Sequence, residues 1–96
     1  MNLNDLEYAN LALKSLINHK PVEKFVFYNA LNGISDFLKS EMDDSERQYI
    51  NENVDVFIGI SNILQRYYEG SSCISEIIEA NYSDFNKLIN HLYGIQ

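Results

Sequence analysis

The side chains best suited to metal binding or nucleophilic catalysis are few and widely separated. The chain contains two histidines, His19 and His91, and one cysteine, Cys73. Each histidine lies near a predicted helix end, where histidine is a common solvated residue, and neither has a second ligand at metal-binding spacing along the chain. Cys73 has no histidine nearby to activate it, so we expect it to act as a small core side chain.

Residues that bind phosphate groups are equally sparse. The four glycines are dispersed, so they form no glycine-rich loop. Only two arginines are present, Arg47 and Arg66, which is too few for an electrophilic cluster. We therefore predict that the protein is not an enzyme and uses no metal and no cofactor.

Acidic residues are the most informative polar group. Fourteen Asp and Glu residues against seven Lys and Arg residues give a net charge of −7. This excess disfavours nucleic acid and anionic membranes as partners, because binding phosphate requires a basic surface, whereas it favours a basic protein. Seven of the acids lie between Asp36 and Asp55, where the only bases are Lys39 and Arg47, so this segment alone carries a charge of −5.

We predict that this acidic segment contains a surface that binds a basic protein. On a single helix beginning near residue 46, Glu52 and Asp55 would share one face, and Tyr49 would border them. Tyrosine beside carboxylates is typical of binding hot spots. The predicted contact residues are Glu41, Asp43, Asp44, Tyr49, Glu52 and Asp55. An alternative stays open, in which the acids only favour a helix N-terminus and form a solvated surface.

The elements that must position these residues are predicted to be helices, because apolar residues recur at three- and four-residue steps. The predicted helices cover about 4–18, 21–40 and 46–69, followed by a short helix from Ile74 that fades near Asn81 and a last one from Ser83 to Gly94. Short connections favour antiparallel neighbours. We predict an all-α fold with a single domain over residues 1–96, a small antiparallel bundle of four to five helices whose last helix is broken.

Several residues are predicted to define the helix ends. Asn4 and Ser45 are placed as N-caps, with capping-box partners three residues later, and Pro21 suits the first turn of the second helix. Gly70 is placed as the left-handed residue that ends the third helix. Gly33 lies inside the second helix, which predicts close packing or a slight bend there.

Adjacent apolar or aromatic residues occur in two of the predicted helices. Phe25 and Val26 are both placed on the apolar stripe of the second predicted helix. Tyr67 and Tyr68 cannot both point inward, because successive helical residues diverge by about 100°. At least one tyrosine is therefore expected at the surface.

The N-terminus, MNLNDLEYANLALKSL, lacks the features of a signal peptide, because it has no positive region and is interrupted by Asn, Asp and Glu. Apolar runs are far shorter than the roughly 20 residues that a membrane span requires. We therefore expect a soluble, cytoplasmic protein.

A short, acidic, helical chain with an acidic patch at 41–55 and a neighbouring Tyr49 resembles the immunity proteins that neutralise secreted bacterial toxins, including those of contact-dependent inhibition and bacteriocin systems. The resemblance covers the whole chain in its general features. Many members of this class block a basic nuclease active site with carboxylates and tyrosines. The resemblance implies that this chain binds a nucleic-acid-cleaving toxin domain and inactivates it by occlusion, without turnover.

Two other classes remain open. One is a phage-type inhibitor that mimics DNA by presenting carboxylates at phosphate-like spacing, which usually demands a higher density of acids. The other is a structural or regulatory module that self-associates through an uncovered apolar stripe. A homo-oligomer is compatible with the sequence but is not predicted.

Overall fold

The computed structural model describes residues 2–71 and 75–94, and within them all the regular structure is helical. The elements are a one-turn 3₁₀ helix (Leu3–Leu6), α1 (Glu7–Ile17), α2 (Lys24–Lys39), α3 (Asp44–Glu52), α4 (Val54–Tyr68) and α5 (Ser75–Gly94). The predicted all-α bundle of four to five helices is confirmed. Each of these elements contributes apolar side chains to one core, and no polar or charged residue of the described part is fully buried.

The packing of the 3₁₀ helix on α2 depends on Gly33. A Cβ atom at this position would overlap the backbone carbonyl group of Asp5. The two backbones can approach this closely only because glycine has no side chain. The prediction that Gly33 marks close packing is confirmed.

Helical structure at the N-terminus begins before the predicted N-cap, with the 3₁₀ helix at Leu3. Asn2 is the N-cap, and its Oδ1 accepts a hydrogen bond from the Asn4 N–H at 3.1 Å. Asn4 therefore lies inside the 3₁₀ helix and does not cap an α-helix. The predicted N-cap at Asn4 is wrong because an equally suitable side chain stands two residues earlier.

The connection between α1 and α2 is longer than predicted. His19 has a positive φ of 56°, and the Lys20 N–H donates to the carbonyl oxygen of Ser15 at 2.8 Å, which closes α1 with a Schellman motif. The Val22 N–H donates to the Tyr67 hydroxyl oxygen at 3.0 Å. Because α4 holds this segment, α2 begins at Lys24, and the prediction that Pro21 lies in its first turn is wrong.

The third predicted helix is two helices, and its start is misplaced. The capping box is formed by Asp43 and Glu46, not by Ser45 and Gln48. Asn53 then ends α3 with φ −117° and ψ 19°, and its Nδ2 donates to the carbonyl oxygen of Tyr49 at 2.8 Å. The next helix, α4, begins at Val54 and ends at Tyr68. Gly70 follows its C-cap with a φ of 82°, which confirms the predicted left-handed residue.

The last predicted helix is not broken at Asn81. In α5 the Asn81 Nδ2 donates to the carbonyl oxygen of Ile77 at 3.0 Å, and the helix runs through this residue without interruption. The buried face of Ile78, Phe85, Leu88 and Leu92 spans the predicted break. The predictions for Cys73 and Ile74 lie outside the described residues.

Gly33 gives a direct test of the close contact at Asp5. We expect Gly33→Ala to lower the free energy of unfolding by about 1–3 kcal/mol, because overpacking against a backbone outweighs the gain in helix propensity. Gly94→Ala is the control, since a Cβ atom at Gly94 meets nothing within 4 Å. Urea denaturation of both variants measures the difference, and equal stability of the two would contradict the packing described.

Candidate protein-binding surface

The predicted carboxylates are all exposed and occupy both ends of α3 and the start of α4. Glu41 lies in the connection after α2, Asp43 and Asp44 lie at the start of α3, Glu52 is the last residue of α3, and Asp55 lies in the first turn of α4. We call these five residues the acidic surface.

Helix capping accounts for part of this surface. The Asp43 Oδ1 accepts from the Glu46 N–H at 2.7 Å, and the Glu46 Oε1 accepts from the Asp43 N–H at 3.0 Å. Asp44 and Glu46 also lie in the first turn of α3, where negative charge favours the helix dipole. Glu41 and Glu52 lie outside that first turn, so the capping of α3 does not explain them.

The two carboxylates predicted to share one helix face belong to different helices. Glu52 ends α3, where its Oε1 accepts from the Gln48 Nε2 at 3.1 Å, and Asp55 lies beyond the interruption at Asn53. The prediction of one continuous helix carrying both residues is therefore wrong. Both side chains are nevertheless exposed, and they stand three residues apart.

Tyr49 lies at the edge of the core. Its side chain is half-buried, and its ring stacks on the imidazole of His91 with ring centroids 4.0 Å apart and an interplanar angle of 24°. This contact joins α3 to α5. Tyr49 therefore has a structural role in holding α3, beside the partner contact predicted for it.

The half-buried side chain of Arg47 holds the start of α3, and with it part of the acidic surface, against α2. Its Nη1 donates to the carbonyl oxygen of Leu38 and its Nη2 to that of Ser40, both at 2.8 Å. These carbonyl groups lie at the C-terminal end of α2, where backbone oxygens lack helical partners and positive charge is favoured. One guanidinium group thus fixes the start of α3 against the end of α2.

A second exposed feature was not found from the sequence. Phe25, placed in the core by its periodicity, is 54% exposed, and it contacts the ring of Tyr8 edge-on with centroids 6.3 Å apart. Tyr28 and Tyr68 are also exposed, with centroids 6.1 Å apart. We call these four residues the aromatic patch.

The divergence rule identifies only part of the aromatic patch. It does not single out Phe25, because Val26 and Phe27 are adjacent in α2 and both are buried. The same rule predicts an outward residue in the pair Tyr67 and Tyr68. Tyr67 is half-buried and Tyr68 is exposed, as expected.

The hydroxyl groups of the aromatic patch interact with each other. A hydrogen bond between Tyr28 and Tyr68 raises the pKa of Tyr28 and lowers the pKa of Tyr68. The positive charge of Lys24 lowers the pKa of Tyr68 further. Tyr68 is therefore the member of the pair that ionises first, and the Tyr28 O–H then donates a hydrogen bond to the resulting phenolate oxygen.

Residues 2–71 and 75–94 contain no group of three or more His, Cys, Asp or Glu side chains able to hold a metal ion. No helix in the same ranges is long and apolar enough to cross a membrane. A cavity of about 530 Å³ has Ser71 and Ser75 in its wall. These two residues border, in the sequence, the segment 72–74 that the structure does not describe. We assign no ligand to this cavity.

Arg47 can be tested with charge-conserving and charge-removing variants. We expect Arg47→Met to lower the free energy of unfolding by about 2 kcal/mol, because two charge-assisted hydrogen bonds are lost. Arg47→Lys should recover only part of this loss, because an ammonium group cannot reproduce the planar fork. Arg66→Met is the control: Arg66 is exposed in the last turn of α4, and its loss should cost less than about 1 kcal/mol. Equal losses at Arg47 and Arg66 in chemical denaturation would contradict the role assigned to Arg47.

The hydrogen bond between Tyr28 and Tyr68 predicts the order in which their hydroxyl groups ionise as pH rises. As pH rises, Tyr68 should ionise below the ordinary tyrosine pKa of about 10, and Tyr28 should ionise above it. In Tyr28→Phe the pKa of Tyr68 should rise, because the hydrogen bond that stabilises its phenolate is gone. Ring carbon chemical shifts measured against pH report each tyrosine separately. An unchanged titration of Tyr68 in this variant would exclude the hydrogen bond.

The acidic surface and the aromatic patch are therefore the candidate protein-binding features that this structure exposes. Comparison with known proteins finds no matching protein family, no matching curated protein and no matching solved structure.

Proposed function

We propose that this protein binds a basic bacterial toxin domain, a nuclease, in the cytoplasm and neutralises it by occlusion. The observation that carries the proposal is the exposure of Glu41, Glu52 and Asp55, which extends the acidic surface beyond the first turn of α3. Clustered negative charge accelerates the capture of a basic partner and fixes its orientation. Inhibition by occlusion requires a bound surface and no catalytic residue.

The class-level resemblance to immunity proteins supports the toxin as the partner. A nuclease active site is basic because it must bind phosphate, so an acidic protein surface is complementary to it. Such an inhibitor acts by stoichiometric binding, and the inhibited fraction should saturate when inhibitor and toxin are present in equal amounts. An enzyme acting on the toxin would instead inactivate an excess of it.

Self-association is the second candidate function, and the aromatic patch favours it. Large exposed apolar groups often mark protein interfaces, and Tyr8, Phe25, Tyr28 and Tyr68 are all exposed in the single chain. Sedimentation equilibrium of the protein alone distinguishes the two functions. A stable dimer that dissociates in Phe25→Ser would favour self-association, whereas a monomer at all concentrations would exclude it.

The acidic surface is tested by reversing charge at matched positions. We expect Glu52→Lys combined with Asp55→Lys to weaken toxin binding at least about tenfold and to slow association. The control combines Glu79→Lys with Asp84→Lys on α5, where both acids are also exposed. Both double variants change net charge equally, so the comparison isolates the position of the charge.

The toxin for this measurement is identified by affinity purification from the native host and mass spectrometry. Binding rates are then measured at several salt concentrations, since screening slows electrostatically steered association. Thermal denaturation shows whether each variant stays folded. If the α3–α4 double reversal changes affinity by less than about twofold, or roughly 0.4 kcal/mol, the acidic surface is not the interface.

A further inference from the structure

An apolar groove lies between α2 and α4, beside the acidic surface. Its walls include Ile34 and Leu38 of α2 and Val54, Phe57 and Ile58 of α4. The groove has a volume of about 170 Å³, comparable with the roughly 150 Å³ apolar cavity that holds a benzene molecule. It therefore has room for one large apolar side chain.

The groove is open because two of its apolar residues face the surface. Ile58 is 52% exposed and Val54 is 36% exposed, although removing apolar surface from water is favourable. Phe57 and Ile34 below them are buried in the core. The groove is thus continuous with the core, and no described residue covers its outer apolar side chains.

The charged residues flanking the groove determine what could cover it. Those within four positions of a lining residue, about one helical turn, are four acids, Asp36, Glu41, Glu52 and Asp55, and two bases, Lys39 and Arg66, and all are exposed. Asp55 stands one helical turn before Ile58 on α4, so the two side chains are neighbours on the helix surface. An occupant that carries cations is therefore favoured over an acidic or neutral one.

We propose that the groove between α2 and α4 receives one large apolar side chain from a basic segment of the partner protein, with a Lys or Arg side chain of that segment against Asp55. This arrangement has a desolvated apolar centre and a charged rim, which is the usual anatomy of a binding hot spot. The inference rests on the proposed function for the basic character of the partner. It adds the position of the apolar anchor, which the acidic surface alone does not provide.

A synthetic peptide serves as the probe for this groove. It has about 18 residues, or five helical turns, and is built from Leu and Lys with the leucines at three- and four-residue steps. A second peptide keeps the leucines and replaces every Lys with Glu. We expect the Leu/Lys peptide to bind with its largest amide shift changes at residues 54–62, and the Leu/Glu peptide to bind at least about tenfold more weakly.

Matched isoleucine variants separate the groove from general attraction to an acidic protein. Ile58 is 52% exposed on α4, and Ile77 is 49% exposed on α5, outside the walls of the groove. Ile58→Ser should weaken Leu/Lys binding about tenfold, whereas Ile77→Ser should leave it within about twofold. Val54→Ser is a second test within the groove if Ile58→Ser proves unstable to heat.

Three results would overturn the proposal. These are equal losses for Ile58→Ser and Ile77→Ser, largest shift changes at the aromatic patch or on α5, and equal affinity for the two peptides. The peptide experiment does not use the toxin, so its outcome is separate from that of the charge reversal. If the groove binds the Leu/Lys peptide while the charge reversal leaves toxin affinity unchanged, the groove stays a binding site for a basic apolar segment. The contact of Asp55 with the toxin, and the acidic surface as the toxin interface, are then excluded.

Discussion

The guanidinium group of Arg47 connects the acidic surface with the groove between α2 and α4, the two features on which the proposed binding depends. Its two hydrogen bonds end at the carbonyl groups of Leu38 and Ser40, which close α2. Leu38 also lines the groove, and the connection that follows Ser40 carries Glu41 and Asp43. A single side chain therefore fixes the end of α2, one wall of the groove and the start of the acidic surface relative to one another.

This use of Arg47 also changes the electrostatics of its neighbourhood. In the sequence, Arg47 counts as one of two bases that offset seven acids between Asp36 and Asp55. In the structure its donors are directed at backbone oxygens, which have partial negative charge of their own. The guanidinium group of Arg47 therefore satisfies helix-end carbonyl groups of α2.

The sequence was sufficient for features that depend on local interactions. Helix type and the left-handed residue Gly70 follow from residues within one or two turns. For Gly33 the missing side chain indicated close packing, but not that the neighbour is Asp5. The exposed carboxylates could be predicted in the same way, because charged residues off the apolar stripe remain in water. Local signals failed where two suitable residues compete, as Asn2 and Asn4 do for the first N-cap.

Features that depend on tertiary packing could not be predicted. Asn53 and Asn81 are both polar residues within an apolar helical pattern, and each donates its side-chain amide to the carbonyl group four residues earlier. Only Asn53 interrupts its helix, while the continuous buried face of α5 passes Asn81. The groove is hidden from sequence analysis for a related reason, since Leu38 and Ile58 become neighbours only when α2 packs on α4.

An apolar groove beside carboxylates has properties that neither feature has alone. Exposed charge pairs contribute little free energy, with typical values below about 1 kcal/mol, because water and salt screen them. Burial of one large apolar side chain contributes about 1.5–3 kcal/mol, but it provides little orientation. Asp55 stands one turn from Ile58, so in the proposed complex charge would orient the partner and apolar burial would supply affinity. This division of roles would allow a small acidic protein to bind a basic partner selectively with few residues.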